Sequence, residues 1–215
     1  MKPSIKTLIP IQLAAVALVG VTGVGAANAA THRSAQSAEQ TAQRVARCWV
    51  PGGKQGPLAS KYKKYQPKKD LHQTRAQILK RAQSWVTKKV PYSQDGSSPY
   101  CNKYGVYRRD CSGFVSMAWG LHSVQWTGSL IGSGYSKPLG GPKHKNWTKL
   151  IEPGDAVTRS PSSHSGHVAL VVKVGTKGVE VAQEPTFGGH AEKVFRKWAY
   201  LKNNGFYGIR YAHVK

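Results

Sequence analysis

RRDCSGFVSMAW, residues 108–119, is the stretch from which the rest of the chain can be read. Phe114, Val115, Ala118 and Leu121 recur at helical spacing, and Gly120 with His122 marks the end, so the spacing predicts a buried helix opening at Cys111. Asp110 is a good N-cap residue. A cysteine in a first helical turn meets unpaired N–H groups and the positive end of the helix dipole, and both favour a thiolate. Ser112 and Gly113 are small enough to let a substrate carbonyl approach the sulfur. Cys111 could thus be a structural thiol, half of a disulfide or a nucleophile.

The rest of the chain bears on that choice. Residues 1–29 read as a secretory signal peptide: Lys2 and Lys6 lead an almost uncharged run from Leu8 to Val24, closed by the small-x-small site Ala27-Asn28-Ala29. The mature protein is therefore expected outside the cytoplasmic membrane and cell-wall associated. It would meet the membrane only through that peptide, because no other stretch is apolar for the ~18 residues a span needs. The formal charge of +23, with nine acidic residues, favours polyanions such as anionic lipid or acidic wall polymers. Specific nucleic-acid binding is not expected, as no RNP-like, zinc-finger or helix-turn-helix pattern occurs. Of three cysteines, an oxidising compartment favours pairing Cys48 with Cys101, which would leave Cys111 free.

Residues 30–71 read as a basic tail. Ser34 to Arg47 has helix-forming composition, and PGGKQGPLASKYKKYQPKK reads as loop or disordered linker. A helix is predicted from Thr74 to Lys88, with Ile78, Leu79, Ala82, Trp85 and Val86 on one face and Pro91 beyond its end. Residues 123–150 read as loop. Short β-branched runs follow at Asp155-Ala-Val, His167 to Val174, Gly178 to Gln183 and Gly208 to Ala212. Helices followed by strands predict an α+β fold with an antiparallel sheet, in one domain over 72–215.

A cysteine nucleophile needs a base. His167 opens a hydrophobic strand, GHVALVVKV, and is the best placed; an ordinary strand-edge histidine is the other reading. Gln183 or Glu184, ending the next strand, could orient the imidazole, and alternation lets only one of them face it. HSGH (164–167) lacks further ligands nearby, so neither a metal nor a cofactor is expected.

DCSGF, the PGDAV turn (153–157), GHVALVV and a polar residue on the following strand together resemble the NlpC family of bacterial cell-wall cysteine peptidases. The resemblance covers about 72–215, with Pro91 and Tyr92 in VPY fitting as well. It implies a papain-like core, with N-terminal helices packed on an antiparallel sheet. Cys111 would be the nucleophile, His167 the base and Gln183 the third catalytic residue, with Glu184 as the alternative and Tyr92 close to the thiol. The implied activity is endopeptidase cleavage of peptidoglycan stem peptides; a monomer is expected. Arg109, Ser112 and Trp126, with Arg108, Lys103 or Trp147, are candidates for the walls of a groove suited to substrate carboxylates. The same site could serve an amidase or acyltransferase, and the charge alone would suit a non-catalytic wall-binding protein.

Overall fold

A computed structural model describes residues 46–52, 56–132, 134–159 and 166–215. The segment 1–29, most of Ser34 to Arg47, and His164 lie outside the described residues. Helix α1 (Arg75–Lys88) begins where the sequence places it. Thr74 and Gln77 form a reciprocal capping box, and Lys89 ends the helix in the left-handed region at φ 47°. Its apolar face buries Ile78, Ala82 and Trp85 completely. Helix α2 (Cys111–Trp119) is buried along its whole length, which fits its almost unbroken apolar and small-residue sequence. Gly120 closes it at φ 67°, where a β-carbon would meet Gln73 and Leu71 at 2.9 Å.

The strands are β1 (Tyr100–Asn102), β2 (Gly105–Tyr107), β3 (Ser136–Pro138), β4 (Ala156–Arg159), β5 (His167–Val174), β6 (Gly178–Gln183), β7 (Glu192–Lys197) and β8 (Tyr207–Tyr211). β1 and β2 form a hairpin. The other six make one antiparallel sheet in the order β3-β8-β4-β5-β6-β7. The fold is therefore α+β with an antiparallel sheet. Side-chain alternation divides the sheet into two packed faces. Ala156, Val168, Leu170, Ala182 and Ile209 pack with α1 and α2. Val157, Ala169, Val171, Val179 and Val181 face the other way, onto Leu201 and Phe206 and onto Trp147 and Ile151.

The PGDAV turn locks the sheet to α1. Asp155 is fully buried; its carboxylate accepts from Arg75 at 3.0 Å and from Arg210 at 3.0 and 2.9 Å. The Gly154 carbonyl accepts from the Trp119 indole at 3.1 Å.

Two readings of the sequence are corrected. The lysine-rich stretch is not a free linker from 56 onward. Residues Ala59–Tyr65 form a 3-10 helix, and Ala59 is buried with Ala46, Cys48, Cys101 and Val106. Cys48 and Cys101 are disulfide-bonded, which fastens this layer to β1. Residues 123–150 are not all loop: they carry α3 (Thr127–Gly132), β3 and α4 (Trp147–Leu150). Edge strand β7 escapes the sequence reading because EKVFRK alternates half-exposed with exposed positions and shows no buried face. The last helix, α5 (Trp198–Asn203), follows it directly. Among the described residues no helix is long and apolar enough to cross a membrane.

Candidate active site

Cys111 is the free cysteine among the described residues, and it opens α2 at one wall of a cavity of about 820 Å³. The Asp110 carboxylate caps the helix, accepting from the Gly113 N–H at 2.7 Å and from the Arg108 guanidinium. Packing requires Gly113. A β-carbon there would lie 2.0 Å from the Arg108 carbonyl oxygen and 2.9 Å from the Asp110 carboxylate.

The sulfur approaches the Val168 and Ser112 N–H groups, and the Thr127 hydroxyl oxygen lies 3.9 Å from it. These contacts favour the anion. Burial and, after it, the Asp110 charge oppose them, and the net effect is a thiol pushed up from its ordinary value. The direction of this shift is opposite to the one the helix end alone would give.

His167 starts β5, lines the same cavity, and is directed by a chain of two hydrogen bonds. The Gln183 amide nitrogen donates to Glu192 Oε1 at 3.0 Å, which turns its Oε1 toward the imidazole. The ring's Nε2 stands 3.0 Å from that oxygen, so Nε2–H must donate and Nδ1 keeps its lone pair. Burial depresses the imidazole pKa; the Gln183 bond acts against this, and the Arg159 and Arg196 charges add to it. Thiol and imidazole line the same cavity, and burial pushes each toward its neutral form.

Of the two candidates at the end of β6, Gln183 faces His167. Glu184 points the opposite way, fully buried, with both carboxylate oxygens unpartnered. Burial is the main reason its carboxyl is pushed up to about 9.

Tyr92 lines the cavity with Cys111. Its hydroxyl accepts from the Gln94 amide at 2.9 Å, and its ring packs edge-on to Phe187 at 5.2 Å. Burial and then the nearby Cys111 push the phenol up to about 12. Ser112 and Arg108 are joined by a 3.3 Å hydrogen bond on the cavity wall, and Trp126 stands 58% exposed at its rim.

Arg109 is not a wall residue. It is buried, donates to the Ser98 and Pro91 carbonyls at 2.7 Å each, and so ties the loop before β1 to the start of α2. Lys103 sits at the β1–β2 turn away from the cavity, and Trp147 is buried on the far side of the sheet against Trp198. Sequence reading missed Thr127, Arg159, Arg196, Phe187 and Phe206, all of which line the cavity. None sits in a motif; strand register and helix placement bring them there. No group of metal-binding side chains occurs among the described residues.

No family model matches the chain, and no curated protein matches it. Among solved structures it is similar to the peptidoglycan hydrolase RipB from Mycobacterium tuberculosis, with 19% identity over 90% of this chain and 92% of that one and a TM-score of 0.42. It is also similar to Rv1477, a hypothetical invasion protein of Mycobacterium tuberculosis, with 18% identity over 78% and 71% of the two chains and a TM-score of 0.42. A third similar structure is a mutated form of the Resuscitation Promoting Factor Interacting protein RipA, with 18% identity, the same coverage and a TM-score of 0.43.

Proposed function

We propose that this protein is an exported cysteine hydrolase that cleaves amide bonds in peptidoglycan stem peptides. One observation carries the reading: Cys111 and an imidazole oriented through Gln183 share one cavity, with no hydrogen bond to the imidazole's accepting nitrogen among the described residues. Such a set has one evident use, the activation of a thiol against a carbonyl.

In the proposed reaction Nδ1 of His167 takes the Cys111 proton as the sulfur attacks the amide carbon. The oxyanion is met by N–H groups at the start of α2. The tetrahedral species collapses, the C–N bond breaks, and the amine leaves with the proton from His167. Water, deprotonated by the same nitrogen, then attacks the thioester. The carboxylic acid departs, and the sulfur recovers its proton. Because both partners rest neutral, the thiolate forms during attack rather than beforehand.

Purified peptidoglycan digested with the protein should yield fragments whose masses differ by the water added at a stem-peptide amide, and Cys111→Ala should yield none. Intact wall after prolonged digestion by the wild type would overturn the reading. A cationic wall-binding protein would bind wall equally with either residue at 111 and release no fragment.

A further inference from the structure

Arg109 holds both peptide units that flank Tyr92. Its guanidinium donates to the Pro91 carbonyl at 2.7 Å, and its own carbonyl accepts from the Ser93 N–H at 2.6 Å. On the opposite side the Tyr92 N–H donates to the Gly189 carbonyl at 2.9 Å, and Pro91 is bridged to His190. The main chain around Tyr92 is therefore pinned by three hydrogen bonds, two of them to a residue that stands just before Asp110 and Cys111. The Tyr92 side chain lines the cavity with Cys111, near enough to the sulfur for the thiol's charge to act on the phenol.

The guanidinium is itself held from the N-terminal layer. It lies over the Trp49 ring at 5.8 Å, and its remaining bonds go to the carbonyl and the hydroxyl of Ser98 at 2.7 and 3.3 Å. Trp49 is fixed in turn. Its N–H donates to the Pro99 carbonyl at 2.7 Å, and its ring meets Tyr100 edge-on at 5.8 Å. The Cys48–Cys101 disulfide joins the residues next to both rings. No carboxylate among the described residues accepts a hydrogen bond from Arg109; Glu184 and Asp95 act on it through charge alone. A planar fork held between backbone carbonyls and a ring face has one orientation, which a lysine cannot reproduce.

We propose that Arg109, braced on Trp49, is a positioning residue that fixes the Tyr92 side chain against Cys111. The disulfide-tied N-terminal layer is thereby a working part of the active-site wall and not a detachable tail. On the hydrolase reading above, on which the catalytic consequence rests, loss of the brace lets the Tyr92 wall drift from the sulfur. Bond cleavage then slows, while the rest of the cavity still binds substrate.

Two measurements test the brace, and one needs no turnover. In protein labelled with fluorotyrosine, the fluorine resonance of Tyr92 is the one missing from Tyr92→Phe. It should shift or broaden in Arg109→Met and in Trp49→Ala. Tyr62→Ala, which loosens the core of the same layer, should leave it in place. The second measurement is cleavage of the peptide L-Ala-D-isoglutamyl-meso-diaminopimelate. Arg109→Met should lower kcat at least ~10-fold and Trp49→Ala about 5-fold, with KM within about twofold, as expected when a remote change misplaces a group beside the reacting atoms. Arg109→Lys should recover part of the loss, and Tyr62→Ala should leave kcat as in the wild type. In a Tyr92→Phe background Trp49→Ala should lower kcat by less than about twofold more, because the phenol it positions is gone. If Arg109→Met fails to fold, Trp49→Ala carries the test from the other end of the brace. A Tyr92 resonance indifferent to these substitutions overturns the brace whatever the rates do. A kcat unchanged by them, equally lowered by Tyr62→Ala, or lowered as much in the Tyr92→Phe background, overturns the positioning role and leaves the hydrolase reading standing. If the wild type does not cleave the peptide, only the proposed reaction falls, and the resonance alone decides the brace.

Discussion

At the scale of single residues, the site depends on groups that set one another's protonation. His167 acts as a base only when neutral, and burial with Arg159 and Arg196 holds its pKa below the ordinary 6.5. The acid limb of kcat/KM should therefore fall below pH 6.5, with activity lost as pH drops through the imidazole's lowered pKa; a pH–rate profile with its acid midpoint at or above 6.5 would contradict this. Glu192 acts through Gln183 as a positioning residue. Glu192→Gln can offer an N–H to Gln183 and so lets that amide turn over, presenting NH₂ to the imidazole and favouring the wrong tautomer. A loss of about 10-fold in kcat with KM little changed is expected, comparable to other changes in groups that orient a histidine; Glu192→Asp should recover part of it. Glu184 makes a separate prediction about stability. Its folded-state pKa of about 9 lies above the ordinary 4.5, so the folded protein holds this proton more tightly than the unfolded chain. Stability from this group is full below pH 4.5 and is lost as pH rises toward 9, at up to about 1.4 kcal/mol per pH unit. Glu184→Gln should remove that loss. Melting temperatures of the two proteins between pH 5 and 9 should diverge, with the variant higher at the alkaline end.

At the scale of elements, the position of Cys111 depends on how α2 starts. Asp110 caps the helix, and Gly113 lets the Arg108 carbonyl lie where a side chain would otherwise be. Gly113→Ala should cost about 3 kcal/mol, at the upper end for overpacking a buried site, because the clash is with backbone that cannot swing aside. Chemical denaturation would measure it. Helix α1 was legible because Thr74, the spacing of Ile78, Ala82 and Trp85, and Pro91 all agree. Strand β7 was hidden because an edge strand with polar residues on both faces has no pattern to read, although it supplies both Glu192 and Arg196. The choice between Gln183 and Glu184 was equally open. Alternation says that they face opposite ways, but only the register of β6 against β5 and β7 says which faces His167.

At the scale of the molecule, the Cys48–Cys101 bond spans 53 residues and ties a basic N-terminal layer to β1. Closing a loop of that length restricts the unfolded chain by about 4 kcal/mol in the chain-entropy model. Replacing both cysteines by serine should lower stability by roughly that amount. The rate at which iodoacetamide modifies Cys111 should stay within about twofold of wild type, since neither cysteine lines the cavity; alkylation followed by mass spectrometry would show whether it does. Chain order alone was enough for the α+β class and the capped helix at Cys111, because hydrophobic period and capping are local properties. The Cys48–Cys101 bond was only plausible from the sequence, because pairing across 53 residues is decided by the fold. Three-dimensional packing alone decided that the thiol rests neutral, that Arg109 is a buried tie and that Arg159 and Arg196 flank the imidazole. Desolvation and strand register are set by neighbours far away in sequence, and no local pattern records them.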